Sequence, residues 1–174
     1  EPDKNDVAFV SEHDFTKSYT WLILLKNNKR IDLCIETMES MLECYGEDKL
    51  TVPLLDKDGI LRPLPPPSDI DYYVIKPNES QFLSCCNNFW WCLNNVGKGI
   101  KRDQLPYVMW MYNVVVRDEL NKMIDWYIGT LNDFKVNIGM AGKYYKKYLQ
   151  ENLYEMLTET YSDSDYENLW ISIK

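Results

Sequence analysis

Four prolines in five residues, Pro63 to Pro67, constrain what this chain can fold into more than any other feature. Proline has no backbone N–H and a fixed φ, so neither a helix nor a central strand runs through such a stretch. Residues 63–77 are read as a connection between two domains, residues 1–62 and residues 78–174. The hydrophobic pattern differs on the two sides. In the first third, Tyr19 to Leu25 is a short apolar run suited to a buried strand, and Ile31 to Ile35 is a second. The polar link Lys26 to Arg30 joins them into an expected antiparallel hairpin. Ile31, Leu33 and Ile35 share one face, so Asp32 and Cys34 point to the other. Met38, Met41, Leu42 and Tyr45 then follow helical spacing, with Gly46 placed to stop the helix. Leu54-Leu55 and Ile60-Leu61 flank Asp56 to Gly59, which reads as a hairpin turn.

After the prolines the pattern is helical. Asn78 with Gln81 makes a capping box that opens a helix with Phe82, Cys85, Cys86, Phe89, Leu93 and Val96 inward, ending at Gly97 and Gly99. Asp103 is placed to cap the next helix. Its apolar face runs from Leu105 through Tyr112, Val116 and Leu120 to Tyr127, and Gly129 closes it, about 25 residues or ~37 Å. Shorter helices are expected over Gly142 to Leu149 and Asn152 to Tyr161, and a last one from Ser164, capped through Glu167. The fold class is therefore α+β.

Charge and composition exclude several function classes. No apolar run approaches the ~20 residues that span a bilayer. With 27 acidic against 19 basic side chains, a net charge of -8 disfavours general nucleic-acid binding and suits a cationic small molecule. The five cysteines are odd in number and lack the paired spacing of a zinc site, which indicates a reducing, cytoplasmic setting and small buried side chains. With His13 the single histidine, catalytic triads and multi-histidine metal sites are discounted.

Spacing nominates few reactive positions. Lys98, Lys101 and Arg102 sit beside two glycines and before a helix start, where backbone could approach a phosphate, or where lysines merely complement a helix dipole. Gly142-Lys143 repeats the theme, with lysine at an expected helix N-terminus, where an anionic ligand would suit it. Five tryptophans, Trp90, Trp91, Trp110, Trp126 and Trp170, lie in the helical part. Most read as core or interdomain packing, and one or two could wall a ring-shaped ligand. Asp32 in mid-strand suits a solvated face or a functional one; Glu119 and Asp125 read as solvated charges.

The order of short segments carries a resemblance. Lys29-Arg30-Ile31-Asp32-Leu33 is followed by Leu54-Leu55-Asp56-Lys57-Asp58-Gly59 and Cys85-Cys86-Asn87-Asn88-Phe89-Trp90-Trp91. Gly97-Lys98-Gly99-Ile100-Lys101-Arg102-Asp103, Arg117-Asp118-Glu119-Leu120, Trp126-Tyr127-Ile128-Gly129, Gly142-Lys143 and Thr160-Tyr161-Ser162-Asp163 follow in order. The series resembles the aminoglycoside 6-adenylyltransferases. That resemblance implies the C-terminal part of a polymerase-β-like nucleotidyltransferase domain, then a helical bundle, with ATP, Mg2+ and an aminoglycoside such as streptomycin as ligands. It implies AMP transfer to an aminoglycoside hydroxyl, and so antibiotic resistance. It makes Asp32 a catalytic carboxylate and magnesium ligand. Lys98 and Lys143, with Arg102, become phosphate contacts, and Trp90 and Glu119 acceptor contacts.

Two departures matter. The family's Gly-Ser and Asp-x-Asp elements are not found in a matching context here; Asp69-Ile70-Asp71 follows prolines and no Gly-Ser. They are expected upstream of Glu1, a C-terminal helical stretch also looks absent, and the 174-residue chain is expected to be inactive alone. Where relatives commonly carry glutamate in a Cys-Asn-Glu-Phe-Trp context, this chain has Asn88, which cannot ionise. The base role then falls to Glu119 or Asp32. Two other readings stay open: a nucleotidyltransferase with another acceptor, and a non-catalytic ligand-binding module. Neither nucleic acid nor a membrane is expected as partner.

Overall fold

The computed structural model describes residues 7–14 and 18–174, and the chain divides into two compact units, residues 1–68 and 69–174. The division falls inside the stretch read as a connection, just after the prolines.

The first unit is a three-stranded antiparallel sheet in the order β1 (Val7–Asp14), β2 (Ser18–Leu25) and β3 (Arg30–Glu36). The hairpin of β2 and β3 forms as expected, with Leu24 opposite Arg30 and Leu22 opposite Asp32. Asn28 turns the chain at φ 63°, a left-handed conformation that asparagine tolerates better than most residues. β1 carries His13 opposite Thr20 and has no counterpart in the sequence reading. Ile23 is the buried residue of β2, whereas Ile31, Leu33 and Ile35 of β3 are all exposed.

Thr37 caps α1 (Met38–Cys44) by accepting from the Ser40 N–H at 3.3 Å. Gly46 ends it at φ +80°, and a Cβ there would lie 2.6 Å from Leu64 Cδ2, so the proline segment folds back against the helix end. Asp56 to Gly59 is not a hairpin. Asp56 instead accepts from the backbone N–H groups of Ile60 and Leu61, which spends its turn-forming capacity on a local loop.

The second unit is helical. A one-turn 3-10 helix (Ile70–Tyr72) leads into α2 (Glu79–Lys101), opened by the expected reciprocal capping box of Asn78 and Gln81. α2 does not stop at its glycines. The chain next runs through α3 (Leu105–Trp110), a π-helical turn (Met111–Val116) and α4 (Arg117–Leu131) as one long element. The cap residue of α3 is Gln104, not Asp103, whose carboxylate accepts from the Tyr166 hydroxyl at 3.1 Å instead. α5 (Tyr145–Tyr148), α6 (Glu151–Glu159) and α7 (Tyr166–Ile173) complete the unit, and α7 is capped by Asp165 rather than Ser164.

Two cores hold these helices. Val96, Val108, Met111, Tyr112, Val116 and Leu169 form one, joining α2, the π turn and α7. Ile128, Val136, Tyr145 and Leu157 form the other, joining α4, α5 and α6. The tryptophans are not core residues: Trp90, Trp91, Trp110 and Trp170 are exposed. Of the cysteines, Cys85 is buried, while Cys34 and Cys44 are exposed.

The second core contains a pH-sensitive carboxyl. Asp125 is half-buried and accepts from the Tyr145 hydroxyl. Burial raises its carboxyl above the ordinary carboxylate range, the Tyr145 hydroxyl opposes that, and Asp118 adds to it. With a raised folded-state value, the folded chain holds a proton that the unfolded chain has released. Stability should therefore fall as pH rises from the ordinary carboxylate value through the raised one. Asp125→Asn, which keeps an oxygen for Tyr145, should flatten that fall, as read from urea midpoints between pH 4 and 8.

Candidate functional site

Asp32 lies on β3, exposed on its own unit, and is held by Arg30 in a two-point contact. Arg30 Nε donates to Oδ1 at 2.8 Å and Nη2 donates to Oδ2 at 2.5 Å. Residues two apart on a strand share a face, which is why this pair forms. The guanidinium holds the Asp32 carboxyl below its ordinary range. Both oxygens are thus engaged. Among the described residues there is no group of three His, Cys, Asp or Glu side chains that could hold a metal ion. Magnesium in such sites takes one or two carboxylates with phosphates and water, and a paired ion needs a shared carboxylate set. The described residues do not make that site, and no step through the ion is derived from them.

The remaining candidates lie on the second unit, spread over separate grooves. Lys98 and Arg102 line one of about 510 Å³ with Asn95, Gly99, Gln104 and Tyr107. They stand four apart at the end of α2, so helical geometry places them together. The glycine argument for phosphate approach does not survive. Gly99 is inside the helix, and a Cβ on it would sit 2.5 Å from Val108 Cγ2. Its smallness lets α3 close on α2 rather than admitting a ligand. Lys98 and Lys101 occupy the last turn of α2, where positive charge also offsets the helix dipole.

Trp90 is 65% exposed and shares a second groove, about 590 Å³, with Lys98, Lys101 and Trp170. Lys143 lines neither of these. It is exposed, next to Gly142 at φ +74°, and stands outside the four-residue α5. The basic residues inside that helix, Lys146 and Lys147, are in its last turn, which removes the argument from a misplaced lysine.

Glu119 is in neither groove with Trp90. It lines a third cleft, about 460 Å³, with Ser84, Cys85, Asn88, Lys122 and Trp126. Its side chain is only 12% exposed, which overturns its reading as a solvated charge. Asn88 Nδ2 donates to its Oε1 across a long 3.5 Å, and Lys122 Nζ lies 3.4 Å away while pairing more closely with Asp118 at 2.6 Å. Cys85 donates its thiol to the Glu119 carbonyl at 3.3 Å, and burial, then Glu119, pushes that thiol up to about 12. It stays protonated and is no nucleophile. A carboxylate withdrawn from water, loosely held and walled by Trp126, is suited to an incoming ammonium or guanidinium. Sequence reading missed Ser84 as its neighbour, because the packing of α2 on α4 joins positions 31 or more apart, and it overlooked Lys122 and Trp126, which share the Glu119 face of α4.

The chain matches the family described as streptomycin adenylyltransferase over residues 1–174. It is 37% identical over 158 residues to an aminoglycoside 6-adenylyltransferase of Campylobacter jejuni, covering 91% of this chain and 55% of that protein. It is 30% identical over 162 residues to one from Staphylococcus aureus, covering 92% and 57%. The crystal structure of an aminoglycoside 6-adenyltransferase from Bacillus subtilis superposes with a TM-score of 0.54 at 26% identity, covering 97% of this chain and 65% of that one. The chain spans about half the length of the curated relatives it matches. A match running from the first residue to the last leaves one assignment: the chain belongs to the streptomycin adenylyltransferase family.

Proposed function

We propose that this chain carries the acceptor-binding part of an aminoglycoside nucleotidyltransferase, an enzyme that moves AMP from ATP to a hydroxyl of streptomycin or a related aminoglycoside. The relatives' names support the reaction class, and the Glu119 cleft is the observation that supports the acceptor. In the transfer, the acceptor oxygen attacks the α-phosphorus and the bond to pyrophosphate breaks. Glu119 holds a cationic group of the acceptor, and Trp126 packs on its ring. Lys98 and Arg102 bind phosphate in their groove, with Lys143 a separate contact. Trp90 walls the groove beside Lys98 and does not join the acceptor cleft. Asp32 is the catalytic carboxylate, oriented by Arg30, and either it or Glu119 takes the hydroxyl proton.

Calorimetry of the 174-residue chain with streptomycin and with ATP tests the reading, together with an adenylyl-transfer assay. Streptomycin should bind saturably and more weakly at high salt, as screening requires. Turnover by this chain alone should be absent, because Asp32 belongs to no group of three metal-binding side chains among the described residues. No binding of streptomycin at low salt would sink the acceptor assignment, and a screen of other amines would then follow. The two-point hold of Arg30 on Asp32 favours a second reading, a binding module without catalysis. Such a module would take up streptomycin and ignore ATP.

A further inference from the structure

Arg117 is the one buried charged side chain among the described residues, at 7% exposure. It stands where the π turn passes into α4. Its Nη1 donates to Thr160 Oγ1 at 2.5 Å and its Nη2 donates to the Thr160 carbonyl at 2.7 Å. The guanidinium carbon lies 4.1 Å from the centre of the Tyr161 ring and 5.5 Å from that of Tyr112. Thr160 caps the C-terminus of α6, whose dipole offsets roughly half a unit of charge. No carboxylate among the described residues pairs with the guanidinium, and its Nε–H is buried without a partner. A buried ion that lacks a counter-charge, and a buried donor that lacks an acceptor, both favour an incoming anion.

Arg117 also lines a cleft of about 540 Å³. Tyr112, Thr160 and Ser172 give that cleft polar groups, and Phe89, Leu93 and Ile171 give it apolar walls. The size is that of a site for a small organic molecule. Glu159 and Lys174, which also line it, are exposed. We propose that this cleft binds an organic anion: a carboxylate or phosphate head at Arg117, with an apolar body along Phe89, Leu93 and Ile171. The site is separate from the Glu119 cleft and opposite in charge preference, so the aminoglycoside reading neither requires nor supplies it.

Titration calorimetry of the 174-residue chain with octanoate, octyl phosphate and octylamine decides the matter. Either or both anions should bind at one site and octylamine should not; the tighter anion identifies the head group. Arg117→Gln should weaken that binding about ten- to hundredfold, the range of a charge-assisted hydrogen bond. Since this variant also loses the tether to Thr160, Met156→Trp is the second arm. It fills the cleft from an exposed wall position, leaves the guanidinium in place, and should cause a similar loss. Octylamine binding as well as the anions, or anion binding unchanged by Met156→Trp, would overturn the proposal.

Discussion

Glu119→Gln should weaken streptomycin binding by about ten- to hundredfold, the span expected when a charge-assisted contact in a mostly desolvated cleft is reduced to a neutral one. Glutamine keeps the shape of the side chain and an oxygen for Asn88 Nδ2 and Lys122, so the helix pairing has little reason to change. Lys122→Met should act in the opposite direction. The lysine competes for Glu119 from 3.4 Å, although its closer partner is Asp118, and removing it frees the carboxylate for a cationic ligand. Calorimetry at low and moderate salt reads both. The salt dependence adds a check, because the glutamine variant should lose part of the slope. Equal affinity of wild type and Glu119→Gln would place the acceptor elsewhere, with the Trp90 groove the next candidate.

The parts of this protein that could be read in the sequence are those set by neighbours along the chain. The β2–β3 hairpin follows from two apolar runs joined by a polar link, and its register keeps Asp32 on the face away from Ile31, Leu33 and Ile35. The Asn78–Gln81 box and the stop at Gly46 are equally local, because each depends on residues three or four apart. Lys98 and Arg102 come together for the same reason. The reading failed where a distant element decides. Gly97 and Gly99 look like stops, but α3 arrives against Gly99, and the helix continues because its backbone bonds are worth keeping. Asp103 looks like a cap and is drawn off by Tyr166, which lies 63 residues away. Glu119 looks solvated until α2 covers it. Buried Arg117 gave no signal either, since its partners Thr160 and Tyr161 lie on and beyond the end of another helix.

Gly142→Ala should destabilise the second unit by about 3 kcal/mol, the sum of two independent costs. The residue sits at φ +74°, where an L side chain loses roughly 1–2 kcal/mol to contact with its own backbone. The added Cβ would also strike the ring of Tyr145, and Tyr145 cannot move aside. It is 6% exposed, packed in the core with Ile128, Val136 and Leu157, and anchored through its hydroxyl to Asp125. Overpacking of that kind costs about 1–3 kcal/mol. Gly97→Ala is the matched control, because the same methyl group should there change sign. Gly97 lies inside α2 at helical φ, and its Cβ would meet only Trp170, at an ordinary 3.5 Å. Alanine in that setting should stabilise by about 0.5–1 kcal/mol, from helix propensity and a less disordered unfolded chain. Urea unfolding followed by helical circular dichroism measures both. A loss for Gly142→Ala no larger than the roughly 1–2 kcal/mol of the left-handed backbone alone would mean that Tyr145 is free to yield, and the hold of α5 on the second core would have to be abandoned.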